Sequence, residues 1–365
     1  MGKSKSKGRI YVCHTYYHVY VSLLKEFSLP KEEQGKATLV LSKLSTDFEK
    51  LKERVEKAGA FSEIYEYDEK RQDAYPELAR YMVEGKNVLV NMIRRIIMTK
   101  KFGELCEKDI PVDFKQYQDI YVYCDIDPIG YYLNWKHIPY HAMEDGLNCL
   151  KNFNLARYDN RGFFRLKAFM SSKLNLIFIQ DGYGKYCIDM EVNDLSVIQH
   201  PYSKYVEVNR QKLVDRLTAE EKDTILKVFV RDLDTIKRQI KEGMGQDKIM
   251  ILTEPLCDLE TRERLFRDLI AEYEKEGQIY IKPHPRDELD YRTVFSDYPQ
   301  FEATVPMEML NFFAGFKVKK IISVFTELDE IKFAEEMIRL GPDFMDKYEP
   351  HEMHDQTEVI SKLAD

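Results

Sequence analysis

The chain has 365 residues, 44% of them hydrophobic, and a formal net charge of −8 at pH 7. That length and composition suit a soluble globular protein with two cored domains, and the acidic balance excludes a general nucleic-acid binder, whose affinity needs clustered positive charge. Six cysteines without CxxC spacing read as reduced core thiols of a cytosolic protein; the start carries charge but no apolar signal region, and no stretch is long and apolar enough to span a bilayer.

The first strand pattern is Arg9-Ile-Tyr-Val-Cys, followed by an apolar helix at 17–27, a strand at 37–41 and a helix opening at Ser45-Thr-Asp-Phe-Glu, where hydroxyl residues precede an acidic first turn. A strand at 63–67, a long helical region at 73–106, a buried strand beginning at Asp119, a strand at 138–143 and a helix at 147–153 complete this series. Residues 172–197 hold short β-like runs, such as 175–179, without a clear period. From 218 to 243 the apolar residues Ile225, Val228, Val230, Leu233, Ile236 and Ile240 recur at helical spacing, predicting one inter-domain helix. A second series follows: a strand from Lys248, a helix at 261–276, a strand at 279–281, a helix at 307–313, a strand at 319–324 and a helix at 328–340. Two such alternating series predict an α/β protein with two parallel sheets, divided into domains 1–205 and 206–365.

The chemistry is concentrated where strands end. Residues 278–287 read Gln-Ile-Tyr-Ile-Lys-Pro-His-Pro-Arg-Asp, a buried strand that runs into a histidine held between two prolines. Proline fixes φ at about −65° and extends the residue before it, so Lys282 and His284 are presented from a stiff strand end, an arrangement suited to an anionic leaving group. The competing reading is a plain strand exit whose His284 caps a carbonyl. In parallel sheets the loops at strand C-terminal ends carry ligands. That rule adds His14 and Thr15, the run Asp125-Ile126-Asp127-Pro128, the run Glu144-Asp145-Gly146, the loop holding Glu254 and Asp258, and Ser323 to Glu327, all expected to face one cleft.

Glu144-Asp145-Gly146 places acids on a tight turn where repulsion can raise a pKa, as a general base requires; alternatively Asp145 caps the next helix. Asp125 and Asp127 offer two hard oxygen ligands for a divalent ion, but Pro128 favours Asp127 as a helix N-cap instead, and no metal is expected. Ser323 and Thr326 lie between a strand end and an expected helix start, where hydroxyls and free N–H groups can receive a phosphate. Residues 88–102 mix apolar side chains with Arg94, Arg95, Lys100 and Lys101. They can rest on an anionic membrane, or pack in a core or a homodimer contact.

The ordered set Glu144-Asp145-Gly146, His284-Pro285 and Ser323 to Thr326 resembles the bacterial sialyltransferases that build lipooligosaccharide caps and polysialic acid capsules, and Val12-Cys13-His14-Thr15 resembles the start of the lipooligosaccharide branch. The resemblance implies a GT-B fold of two Rossmann-like domains facing across a central cleft, CMP-sialic acid as donor, a glycan or glycolipid acceptor, inversion at the anomeric carbon and no required cofactor. It also implies His284 at the departing phosphate, with Lys282 and Pro285 shaping that pocket. The base is Asp145 in one branch and an acid ahead of the His-Pro strand, here Asp258 or Glu254, in the other. In place of the family's adjacent hydroxyl pair the chain has isolated Ser323 and Thr326, the latter followed by Glu327. The rival expectations are the same fold with a UDP-hexose or CDP-alcohol donor, and a non-catalytic carbohydrate-binding relative. The expected location is cytoplasmic, at the inner face of the plasma membrane.

Overall fold

A computed structural model describes residues 7–354, apart from 49–50, 152–153, 243–244, 314, 327 and 329–330. Chain contacts divide it into two compact units that meet in sequence at Glu221 and Lys222. This division lies later than the 205/206 position read from the sequence, because the Arg210–Arg216 helix belongs to the first unit. Leu213 O accepts a hydrogen bond from Ser28 Oγ at 3.3 Å, and Glu221 is paired with Lys31 at 2.6 Å. No helix among the described residues is long and apolar enough to cross a membrane.

The first unit is built on strands β1 (Lys7–Cys13), β2 (Ala37–Ser42), β3 (Phe61–Tyr67), β4 (Tyr117–Tyr123), β5 (Tyr140–Met143), β6 (Cys187–Val192) and β7 (Tyr205–Glu207), in the order β3-β2-β1-β4-β5-β6-β7. Every pairing is parallel. The interior strands are continuous apolar runs: Ile10 to Cys13 and all of β2 are buried, as a sheet covered on both faces requires. Strand order reverses between β1 and β4, which opens a crevice at their carboxyl ends. The helices that leave these two strands, Tyr16–Phe27 and Pro128–Trp135, start at that crevice. Gly130 lets the second of them close on the preceding loop, since a Cβ there would lie 1.7 Å from the Asp125 carbonyl oxygen.

The second unit carries a four-stranded parallel sheet, β8 (Lys248–Leu252), β9 (Gln278–Lys282), β10 (Val318–Ser323) and β11 (Ala334–Arg339), ordered β11-β10-β8-β9. The Leu259–Tyr273 helix covers it, burying Leu265, Phe266, Leu269, Ile270 and Tyr273 against apolar residues of β8 and β9. Here the order reverses between β8 and β10.

Local pattern misled the sequence reading in several places. Residues 334–339 form β11 rather than part of a helix, because parallel pairing with β10 overrides the helical propensity of Ala-Glu-Glu-Met-Ile-Arg. The region 73–106 breaks into short turns before the Val88–Cys106 helix, and 307–313 contains a 3₁₀ helix, Met307–Phe312. The single helix expected at 218–243 is two, Ala219–Phe229 and Leu233–Glu242. Residues 175–179 are irregular, and of the helix expected at 147–153, residues 147–150 form a turn while 152–153 lie outside the described residues.

Candidate active site

At the β1/β4 crevice, His14 is buried with Nε2 2.8 Å from Glu69 Oε2 and 3.4 Å from Asp127 Oδ2. Glu69 also accepts from Ser42 Oγ at 2.5 Å and from the Ile129 N–H at 2.8 Å. The latter is one of the free N–H groups opening the Pro128–Trp135 helix, so Glu69 supplies the cap expected of Asp127. Asp127 holds the N-cap position without a side-chain cap bond and turns toward His14. Burial disfavours the His14 imidazolium, but Glu69 and Asp127 outweigh it and raise its pKa. Burial pushes Asp127 up to about 6 despite His14. Thr15 is the N-cap of Tyr16–Phe27, its Oγ1 accepting from the His18 N–H at 3.3 Å.

His18, one helical turn beyond His14, has no exposed surface, and its ring stacks on Tyr123 with centroids 4.2 Å apart. Its Nδ1 accepts the His14 backbone N–H at 3.0 Å, which assigns the ring proton to Nε2; that N–H donates to Asp145, 2.9 Å from Oδ1 and 2.8 Å from the carbonyl. Burial lowers the His18 pKa and keeps the ring neutral. The Cys124 thiol donates to the same Asp145 Oδ1 at 2.8 Å, from a residue held at φ 52°. The Asp145 side chain is 54% exposed. Although desolvation favours its protonated form, the hydrogen bonds from His18 and Cys124 hold it well below the usual carboxylate range.

The expectation that repulsion between adjacent acids raises Asp145 is therefore reversed. Glu144 is buried and points elsewhere, accepting the Asn193 N–H at 2.8 Å, and it is Glu144 that burial pushes up to about 7. A Cβ on Gly146 would meet nothing within 4 Å, so the space beside Asp145 is open. Asp125 diverges from Asp127. It staples a loop by accepting from the N–H groups of Asp181 (2.8 Å) and Gly182 (3.3 Å) and from Tyr140 Oη (3.2 Å). At this crevice the metal-binding groups that converge are His14, His18 and Cys124, whose donor atoms lie within 4.8 Å of one another; a second such group, Asp346, His351 and His354, lies in the other unit. The nitrogen and sulfur set at the crevice suits zinc rather than magnesium, and both His18 nitrogens are already hydrogen-bonded.

At the β8/β10 crevice of the second unit, the loop after β10 is already filled. Glu254 is buried, and its carboxylate accepts the backbone N–H groups of Val324 (3.0 Å), Phe325 (3.0 Å) and Thr326 (3.1 Å). These are the donors expected to receive a phosphate, and an internal anion occupies them. Ser323 Oγ donates to the Thr326 carbonyl at 2.8 Å, and residues 334–339 of the helix expected at 328–340 are strand β11, the expected start at 327–330 lying largely outside the described residues. Glu327 lies outside the described residues. Asp258 is exposed and caps Leu259–Tyr273, accepting from the Thr261 N–H at 3.0 Å and Thr261 Oγ1 at 2.8 Å, bonds that lower its pKa. Cys257 before it adopts φ 41°.

Beyond β9, the His284 N–H donates to Thr253 Oγ1 at 3.1 Å and its Nδ1 accepts the Arg286 N–H at 3.1 Å. The ring thus accepts from backbone rather than capping a carbonyl, and its proton sits on Nε2. Burial, then Arg286 and Lys282, lower its pKa, so the imidazole is neutral at pH 7. Lys282 is buried, and its Nζ donates to the carbonyls of Pro283 and Ala303, each at 3.0 Å; burial pushes its pKa down to about 7. Pro285 is exposed. The loop is tied down at Asp287, which pairs with Arg262 at 2.6 Å and accepts from Thr253 Oγ1 (3.1 Å) and Tyr291 Oη (2.8 Å). Arg262 also donates to the carbonyls of Leu256 and Cys257, joining the loops after β8 and β9.

His18, Glu69, Arg262 and Asp287 were not singled out from the sequence, and Thr253 entered only as the first residue of the loop holding Glu254 and Asp258. His18 had a signal, its i,i+4 spacing from His14; Glu69 had none, being distant in sequence from everything it holds.

Three solved structures share the fold over most of the chain. The α/β-galactoside α-2,3-sialyltransferase of Photobacterium phosphoreum is 12% identical, with a TM-score of 0.53 over 92% of this chain and 91% of that one. A 2,6-sialyltransferase of Photobacterium sp. JT-ISH-224, solved with CMP and lactose, is 10% identical, with a TM-score of 0.54 over 90% and 70%. A sialyltransferase of Photobacterium damsela is 12% identical, with a TM-score of 0.54 over 98% and 80%. An uncharacterized protein of Haemophilus influenzae is 30% identical over 129 residues, 34% of this chain, and the match spans only 40% of that relative's length. The likeness to the solved structures establishes the GT-B class expected from the sequence. Residues 99–327, more than half of the chain, match the profile of glycosyltransferase family 52, and the chain belongs to that family.

Proposed function

We propose that the protein is a metal-independent, inverting sialyltransferase that moves sialic acid from CMP-sialic acid to a hydroxyl of a cell-surface glycan or glycolipid, in the cytoplasm at the inner face of the membrane. The observation that carries this reading is Asp145: an exposed, ionised carboxylate at a strand end, aimed by a buried neutral histidine. His18 and Cys124 both use Oδ1, which leaves Oδ2 for the acceptor hydroxyl. As the oxygen of the acceptor hydroxyl bonds to the anomeric carbon, the bond from that carbon to the CMP phosphate oxygen breaks. The hydroxyl proton passes to Asp145, and the bonding electron pair leaves with CMP. His284 presents Nε2–H to the departing phosphate as a hydrogen-bond donor, and it becomes an acid only after taking up a proton itself. Lys282, whose described partners are carbonyls, gains charge as the anion arrives. The complex of a fold relative with CMP and lactose is in keeping with this donor and acceptor class.

A second reading gives the base role to Asp258. The left-handed backbone at Cys257 favours it, because strain of this kind collects at functional sites; so does its place in the same unit as His284. Incubating the protein with CMP-, UDP- and CDP-linked donors while following nucleotide release tests class and donor together. Release from CMP-sialic acid alone is the expected result, and release from only UDP or CDP donors overturns the donor assignment. Asp145→Asn is expected to slow transfer by roughly 10²–10⁴-fold with the fold retained. A larger loss in Asp258→Asn transfers the role to that residue.

A further inference from the structure

The Val88–Cys106 helix is core in its second half, where Thr99, Phe102 and Cys106 are buried, but not in its first. Its first two turns are in the open: Val88 is 68% exposed, Leu89 75% and Ile93 57%. The Phe164–Ser172 helix shows the same feature, with Phe163 79%, Leu166 55% and Phe169 51% exposed. The two helices adjoin. Met92 and Ile96 of the first and Phe164 and Ala168 of the second pack on one small cluster around Ile177 and Ile179. Each helix therefore buries one apolar stripe in that cluster and leaves a second uncovered. Monomeric proteins rarely expose so many large side chains together without a partner. Phe163 carries a further mark, since it holds φ 56° immediately after Gly162 at φ 59°, a strained backbone that presents a bulky ring to solvent.

Charge identifies the partner. Residues 86–103 contain five Lys and Arg and no Asp or Glu, and residues 160–180 contain four and none, in a chain whose net charge is −8. Arg95 bonds to the Asn160 side chain and the Phe178 carbonyl, Lys100 to the Asn175 carbonyl and Lys167 to the Arg161 carbonyl; Glu84 and Asp159, just outside these windows, act on Arg95, and the nine cations still leave the face a positive excess. A second copy of the same face would set these cations against one another. An anionic bilayer matches both halves of the pattern, taking apolar side chains into its acyl boundary and the flanking cations among its headgroups.

We propose that this face, made by residues 86–103 and 160–174, docks the protein on an anionic lipid surface with Phe163, Leu89 and Ile93 inserted. It stands independently of the donor and of the base, because binding needs no turnover. The test is co-sedimentation of the full chain with vesicles of phosphatidylcholine alone or with added phosphatidylglycerol. Binding only to the anionic vesicles is expected, declining as salt rises. A Leu89→Gln/Ile93→Gln double variant and Phe163→Ser should each weaken it by roughly tenfold or more, with unchanged circular dichroism and unchanged rates on a soluble acceptor. Equal binding to both vesicle types, no binding to either, or variants that bind like the parent overturns the proposal. So does a homodimer in sedimentation velocity that the double variant converts to monomer, because the face would then be a contact between copies.

Discussion

Each unit places an acid just past the carboxyl end of a parallel strand, Asp145 after β5, one strand beyond the order reversal, and Glu254 after β8, at the reversal, and the two are used in opposite ways. In the first unit Asp145 keeps one oxygen open to solvent while His18 and Cys124 hold the other. In the second, Glu254 is wholly internal and consumes the N–H groups of Val324 to Thr326. A carboxylate at a strand end is thus not evidence of chemistry by itself; what separates the two is whether its hydrogen bonds leave a lone pair free. On the proposed function, the same comparison assigns anion recognition in the second unit to side chains. Its strand-end backbone donors are taken, and Lys282, His284 and Arg286 remain.

The largest effect that would break this contrast is at His284. His284→Ala should lower turnover by roughly 10²–10³-fold, the loss typical of one donor to developing charge, while thermal unfolding stays near the parent because the ring makes a single backbone bond. Unchanged single-turnover transfer would remove the phosphate role. Next is His18→Gln, which tests whether the imidazole acts through Asp145. Without it the carboxyl pKa rises, so the acidic limb of the kcat/KM profile should move to higher pH, with a loss of about tenfold at neutral pH. A profile that falls uniformly without moving would mean only a packing role.

Glu254→Gln should cost about 1–3 kcal/mol in urea unfolding of the second unit, since a charged acceptor for one buried and two half-buried N–H groups becomes a neutral one; an unchanged midpoint would mean those groups find other partners. The smallest effect concerns Lys282. Its pKa is about 7 in the fold against 10.5 in a free lysine, so between those values the unfolded chain binds the additional proton and stability rises with pH, by up to about 1.4 kcal/mol per unit. Lys282→Met should lack that rise when the two proteins are melted side by side from pH 7 to 9.

Much of this was legible in the sequence, for identifiable reasons. Continuous apolar runs such as Ile10 to Cys13 and Ile249 to Leu252 locate the central strands, and strand ends in a parallel sheet locate Asp145 and His284. Short edge strands were harder, because β7 has only three residues and β11 is almost wholly exposed, so neither carries the apolar pattern that marks a strand. Contacts made across long sequence distance were invisible. Nothing near Glu254 announces bonds to residues seventy positions later, and nothing near Glu69 announces that it caps a helix in place of Asp127. The residues missed are those that hold others in place, and their signal is geometric.

Arg262, by tying Asp287 to the carbonyls of Leu256 and Cys257, fixes the His284 loop, where the proposed function puts the nucleotide. A loop organised in advance loses little conformational entropy when it is occupied. On the proposed function, recognition and rigidity share one anchor, so weakening that arginine is expected to loosen nucleotide capture and lower the melting temperature together, with saturating nucleotide partly restoring the latter by mass action.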